Sequence, residues 1–306
     1  MLLKIAVFLF SIAVISYLIM QKKQLTGIVA AAFFNERGLW FFCMMMIAML
    51  ANISIEAIKW KYLLKETLPV SFSLSLKAVF SGVTAGLITP HGIGDYIGRI
   101  LFLDPEKRLE NIASVLFSRV AQLYITCLTG VLATVYYYCF IKSDTRILAA
   151  LAISVLTLAL IAISWKYRAA MLDYMKQIRW IKKIEYWFEH LRIYSNRLFL
   201  LTLCLSALRY SIFSTQFVLL LRFFGVQLPV EILVVGVVFT FFIKSIVPTF
   251  IDLGVRELAA LFFFSGFAVV SNNVLAASLS LWFFNLVIPA VIGLFCMFTI
   301  EYKKQE

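Results

Sequence analysis

The sequence predicts an all-α membrane protein, a polytopic helical bundle arranged as an inverted repeat with one broken, re-entrant helix hairpin in each half. Three observations carry that expectation. Of 306 residues, 63% are hydrophobic and only 14% are charged, whereas a soluble domain is nearer half apolar. Long apolar runs recur at residues 5–20, 39–55, 112–141, 147–164, 198–221 and 274–300, each near the length of about 20 residues that a span requires. Two further apolar segments, 70–104 and 230–270, are each interrupted by proline and glycine in the same order.

Taken in order, the first run is followed by Lys22 and Lys23 without an Ala-x-Ala site, which predicts an uncleaved first helix in place of a signal peptide. The run at 39–55 is a plain span. The segment at 70–104 is not, because Pro90 cannot continue a helix and Gly92, Gly94 and Gly98 let the backbone turn or approach a neighbour closely. A helix should therefore end near Thr89 and another begin near Gly94. Irregular backbone at membrane depth survives only where protein or a water-filled cavity satisfies its polar groups, so this break is expected to line a site. A loop at the water interface is the alternative.

Residues 112–141 and 147–164 form the next two spans, the first interrupted only by Arg119. Residues 165–197 are basic, and within them Leu172, Met175, Ile178, Ile181, Ile184, Phe188 and Leu191 recur at three- and four-residue steps, as in an amphipathic helix lying on a membrane. A simple linker between repeats is the plainer reading of the same stretch. The run at 198–221 carries Arg209, and 274–300 contains Asn285 and Pro289. Between them, 230–270 breaks between Lys244 and Glu257, and only 12 uncharged residues separate Glu231 from Lys244, short for a span and suited to a re-entrant arm.

The two hairpins are related. Leu68-Pro69-Val70 returns as Leu228-Pro229-Val230, Pro90 as Pro248, Gly94 as Gly254, Ala113-Ser114 as Ala277-Ser278 and Gly130 as Gly293. The constant order predicts an internal duplication. Three spans lie between equivalent points, and a hairpin adds an even number of crossings, so the copies should be inverted, with the site at their interface. The chain then reads as a single membrane domain: residues 1–38 a first helix and connection, 39–141 the first repeat, 142–197 a connecting helix and basic segment, and 198–306 the second repeat. Lys and Arg number 28 against 16 Asp and Glu, and the basic loops place both termini in the cytoplasm, with Lys59, Lys61 and Lys65 counted on that side.

Composition also excludes functions. No soluble domain is left over for nucleic acid, and the five cysteines, in apolar runs without a CxxC, read as small core residues and not as metal ligands or disulfides. No cofactor is implied. Charges inside membrane segments are expensive unless paired or solvated, so the candidate site is built from His91, Asp95, Arg99, Arg119, Arg209, Lys244, Asp252, Arg256 and Glu257. Gly92, Gly94 and Gly254 shape the turns, and Gln122 adds a polar group. Helix starts near Gly94 and Gly254 would present free N–H groups, and two such starts facing each other would hold an anion such as phosphate, with Arg99 and Arg256 as its side-chain ligands. The same spacing also suits Asp95/Arg99 and Asp252/Arg256 as ion pairs that only brace the hairpins. His91 is either a polar cap at the break or a group that titrates near neutrality.

Thr89 to Arg99, then Gln122, Thr126 and Gly130, then Val247-Pro248-Thr249 and Leu253-Gly254-Val255-Arg256-Glu257, resemble the lysylphosphatidylglycerol synthase transmembrane, or flippase-like, family over nearly the whole chain. The Gly-Val-Arg-Glu match is the more specific. The first half departs from many relatives, with His91-Gly92 where they carry a basic residue and Asp95 where they carry Glu. The resemblance implies a cell-membrane protein that moves an anionic phospholipid or lipid-linked headgroup between leaflets, without the soluble aminoacyl-transferase half of the multiple peptide resistance factor. A membrane-embedded enzyme acting on a lipid phosphate or lipid-linked sugar is the alternative, with His91, Asp95 and Glu257 as acid/base groups, but no Asp-x-Asp pair or metal-ligand set supports it. A non-transporting regulatory partner is the third reading.

Overall fold

In a bilayer each backbone N–H and C=O must be satisfied within its own segment, and the long apolar runs of this chain accordingly fold as helices. The computed structural model describes residues 32–34, 36–65, 68–89, 92–140, 146–177, 189–192, 194–246 and 254–298. The expected first helix, Pro90, His91, Pro248, Asp252 and most of the expected amphipathic segment lie outside these residues.

The first half holds α1 (Glu36–Leu64), α2 (Phe72–Leu87), α3 (Gly94–Ile100) and α4 (Ile112–Phe140). Next come α5 (Arg146–Lys166) and α6 (Arg168–Gln177). The second half holds α7 (Asn196–Phe223), α8 (Val230–Ile246), α9 (Val255–Ser265), α10 (Ser271–Trp282) and α11 (Ile288–Phe298). Among the described residues α1, α4, α7 and the joined α10–α11 are long and apolar enough to cross a membrane, and α5 makes a fifth if it is counted with α6, from which it bends by 77°. The protein is thus a multi-pass membrane protein. Its outer faces carry Trp40, Ile47, Leu156, Leu160, Leu200, Leu208 and Phe295 fully or largely exposed, the side chains that lipid would cover.

Two local features depart from the simple pattern of spans. At 29 residues, α1 rises about 43 Å, more than the roughly 30 Å hydrocarbon core, and it carries Glu56 and Lys59 into the packed interior. Lys59 is therefore not a cytoplasmic-loop lysine. Residues Phe283–Val287 form a π-turn between α10 and α11. Its cause is Pro289, which has no N–H to offer the carbonyl of Asn285. The cysteines also differ from expectation, since only Cys127 is buried while Cys43, Cys139 and Cys204 lie on exposed faces.

The packing has a regular plan. The two hairpins are α2 with α3 and α8 with α9. α2 also packs on α1 and α11, and α8 on α7 and α4. α1 meets α7 between the halves. Exchanging α1 with α7, α2 with α8, α3 with α9 and α4 with α10–α11 carries the hairpin contacts of one half onto those of the other and the α1–α7 contact onto itself. Small residues permit close approach: a Cβ on Gly293 would lie 2.1 Å from the Phe80 carbonyl oxygen, and Thr84 donates to the Ala290 carbonyl at 2.7 Å across the same α2–α11 seam.

Candidate functional site

The first break is organised by Thr89, whose hydroxyl donates to the Ala85 carbonyl at 3.1 Å and accepts from the Gly94 N–H at 2.7 Å. Polar groups freed where α2 stops are thus satisfied across the gap. The short α3 that follows turns Asp95 and Arg99 inward, both 4% exposed, and they pair directly. Arg99 Nε donates to Asp95 Oδ1 at 2.7 Å and Arg99 Nη2 to Asp95 Oδ2 at 2.9 Å, a two-pronged contact of high geometric specificity.

This pair is the centre of a larger network. Arg99 Nη1 donates to Glu56 Oε1 at 2.8 Å, and Ser118 donates to the same oxygen at 2.8 Å. Glu56 Oε2 lies 2.8 Å from Lys59 Nζ and 3.1 Å from Arg209 Nη1. Lys59 also donates to the Ser206 hydroxyl at 3.2 Å, and Arg209 Nε donates to Asn52 Oδ1 at 2.7 Å. Arg119 Nη2 donates to Asp95 Oδ2 at 2.8 Å and to the Gly92 carbonyl at 3.1 Å, while its guanidinium carbon sits 5.3 Å from the centre of the Tyr96 ring. Among the described residues four cations therefore share two carboxylates, a local cationic excess.

The network forms one wall of a cavity of about 500 Å³. Of the expected site residues, Gly92, Asp95, Arg99, Arg119, Gln122, Arg209 and Lys244 line it. Asn52, Glu56 and Ser118, with Thr89, Thr126, Tyr210, Ser245 and Asn285, add to the polar lining, and Val83, Leu87, Phe213, Phe241 and Leu286 supply an apolar one. The arginines differ in what they leave open. The Arg99 side chain is 5% exposed with all three nitrogens engaged, whereas Arg119 and Arg209 are 39% and 30% exposed, and Arg119 Nη1 and Arg209 Nη2 have no hydrogen-bond partner among the described residues.

Gly254, Arg256 and Glu257 lie apart from that lining. Arg256, 1% exposed, donates through Nη2 to Glu257 Oε1 at 2.7 Å and through Nε to the Ser278 hydroxyl at 2.8 Å. Glu257 Oε2 accepts the Gly254 N–H at 2.7 Å, so the start of α9 is capped by its own third residue. Both helix-start amides, at Gly94 and at Gly254, are thus engaged by side chains of the chain itself. His91 and Asp252 lie outside the described residues.

Asn52, Glu56, Lys59 and Ser118 belong to the site and are absent from the sequence-based set. A signal for them exists: Met45, Met49, Asn52, Ile53, Glu56, Ala57, Lys59, Trp60, Leu63 and Leu64 are the buried face of one helix, at three- and four-residue steps that continue past residue 55. Ending the span at the first charge hid it.

Neither a search of curated proteins nor a search of solved structures finds a match. The model of the family described as "Lysylphosphatidylglycerol synthase TM region" matches residues 1–293 of the 306, and this multi-pass membrane protein belongs to that family.

Proposed function

We propose that the chain is a lipid translocase that moves an anionic phospholipid or lipid-linked headgroup between leaflets of the cell membrane, and that it is not an enzyme. The observation that carries the reading is the pair Arg119 and Arg209, each anchored by a carboxylate and each with one terminal nitrogen left for a guest in a half-apolar cavity. A guanidinium held this way offers charge-assisted hydrogen bonds to a phosphate oxygen, and the cationic excess around it is relieved when the anion arrives. The apolar wall suits the adjoining glycerol and acyl carbons, while the chains stay in the bilayer. In this reading the two halves are inverted copies with both termini cytoplasmic, so that the cavity between them can open to either side in turn.

The test is reconstitution of the wild type, Arg119→Gln and Arg209→Gln in vesicles, following a fluorescent anionic phospholipid between leaflets. Asp95 keeps Arg99 in the first variant, and Glu56 keeps Arg99 and Lys59 in the second, so both should fold. Hydrogen bonds to charged groups contribute about 1.5–3 kcal/mol, so each variant should slow transport by roughly tenfold or more with little change in melting temperature. Wild-type rates in both would remove the arginines from the mechanism. Topology is checked by single cysteines at Lys166 and Gln227, which should label from opposite sides of the membrane.

A further inference from the structure

We propose that the elbow between α5 and α6 is a second lipid site, separate from the central cavity, that retains an anionic phospholipid by its phosphate between Lys166 and Arg168. The inference does not depend on the translocase reading. The two helices meet at 77° beside the start of α7, and a pocket of about 400 Å³ there is lined, among the described residues, by Trp165, Lys166, Arg168, Asn196, Phe199 and Leu200. A span that turns by nearly a right angle after its last apolar residues makes the turn in the headgroup layer, where Trp, Tyr, Lys and Arg collect. Tyr167, Met171 and Tyr174 recur at four- and three-residue steps and are exposed, the kind of face on which a helix rests in that layer.

The pocket is apolar toward the spans and cationic toward the turn. On α5 the exposed stripe Leu156, Leu160 and Ile163 runs into Lys166, and on α7 the exposed stripe Leu208, Cys204 and Leu200 runs into Asn196, each at three- or four-residue steps. Acyl chains laid along these stripes bring a phosphate level with both polar ends. Arg168 is already fixed there. Its Nη1 donates to the Trp165 carbonyl at 3.0 Å and its Nη2 to the Tyr194 carbonyl at 3.2 Å, with its guanidinium carbon 4.1 Å from the centre of the Trp165 ring. That ring stacks on Phe199 at 4.3 Å and donates through Nε1 to Asn196 Oδ1 at 3.3 Å. All these partners are neutral, so they orient the charge of Arg168 without cancelling it. Lys166 stands exposed beside it, and residues 165–197 hold eight Lys and Arg against three Asp and Glu, a basic segment that draws lipids of net negative charge.

The test keeps the cavity out of the measurement. The purified chain carrying Arg119→Gln and Arg209→Gln is titrated in detergent with dioleoyl phosphatidylglycerol and with dioleoyl phosphatidylcholine, and bound lipid is counted by native mass spectrometry. Phosphatidylglycerol should still bind, and more tightly than phosphatidylcholine. Adding Lys166→Gln should weaken it about fivefold, and adding Arg168→Gln as well about twentyfold or more. The Lys166 side chain makes no hydrogen bond among the described residues, so Lys166→Gln should melt with its parent when no lipid is added and tests binding even if Arg168→Gln fails to fold. Location is read in vesicles. Phosphatidylglycerol with brominated chains should quench tryptophan fluorescence more than brominated phosphatidylcholine does, and Trp165→Phe should remove the excess. Inorganic phosphate at millimolar concentration should fail to displace the lipid. Equal binding of the two lipids, loss of phosphatidylglycerol with the cavity arginines alone, affinity unchanged by Lys166→Gln, excess quenching that survives Trp165→Phe, or displacement by phosphate would each overturn the proposal. A chain that keeps this lipid yet moves none between leaflets sinks the translocase reading alone.

Discussion

At the first break α3 begins at Gly94, and at the second α9 begins after Gly254, two glycines at corresponding places in the two halves that serve different needs. A Cβ on Gly94 would lie 2.1 Å from the Ala85 carbonyl oxygen, so this glycine is required by the close approach of α3 to α2. Gly254 has open space around it among the described residues but a φ of +95°, so it is required by backbone conformation. The charges diverge in the same way. Arg256 and Glu257 are chain neighbours closed off with Ser278, while Asp95 and Arg99 connect through Glu56 to α1, α4 and α7 and face the cavity. In the alignment set by Leu68-Pro69 and Leu228-Pro229, Glu56 of α1 corresponds to Gln216 of α7, which makes one hydrogen bond to the Met45 carbonyl at 3.1 Å. The same backbone break can therefore be braced internally, or left open and charged where other helices supply the compensation.

The sharpest way to break this comparison is Glu56→Gln, which gives α1 the residue type that α7 has. Removing one partner of a buried ion pair costs about 3–5 kcal/mol, and here Lys59 and Arg209 lose their carboxylate while Arg99 keeps only Asp95, so the folded protein should be lost or melt far below wild type in detergent. Gln216→Ala removes a neutral bond and should cost only about 1 kcal/mol. Equal melting of the two variants would show that the halves do not differ in electrostatic dependence.

The glycines sharpen it next. Gly94→Ala forces a methyl group against a backbone oxygen and should cost about 1–3 kcal/mol, with Gly94→Val worse still. Gly254→Ala should cost about 1–3 kcal/mol, because φ +95° with ψ −60° is strained for a residue that carries a Cβ. Because no described residue lies within 4 Å of the added carbon, Gly254→Ser should melt with Gly254→Ala. Size dependence at 254 and none at 94 would reverse the assignment.

The smallest effect is expected from Arg256→Met combined with Glu257→Gln, measured against each single change. Replacing a buried pair by neutral groups of similar shape is often close to neutral, so the double variant should melt within about 1 kcal/mol of wild type, while Glu257→Gln alone strands Arg256. The matching change at Asp95 and Arg99 should not be tolerated, because Arg99 also serves Glu56 and Asp95 also holds Arg119. Equal tolerance at both breaks would dissolve the distinction between a closed brace and an open network.

By itself the sequence determined that the chain is helical and membrane-embedded, since bilayer thickness and backbone satisfaction tie long apolar runs to helices. It also located both breaks to within a few residues, because proline and glycine act on their own backbone: α2 ends at Leu87 and α3 starts at Gly94, close to the expected Thr89 and Gly94. Only the tertiary structure decided which charges form the site. Arg99 reaches Glu56 across 43 residues and Arg209 reaches it across 153, distances at which spacing carries no information about contact. Nor could spacing tell Arg99, with every nitrogen engaged, from Arg119 and Arg209, each with one still open among the described residues, because that is fixed by which acceptors the neighbouring helices bring to each guanidinium.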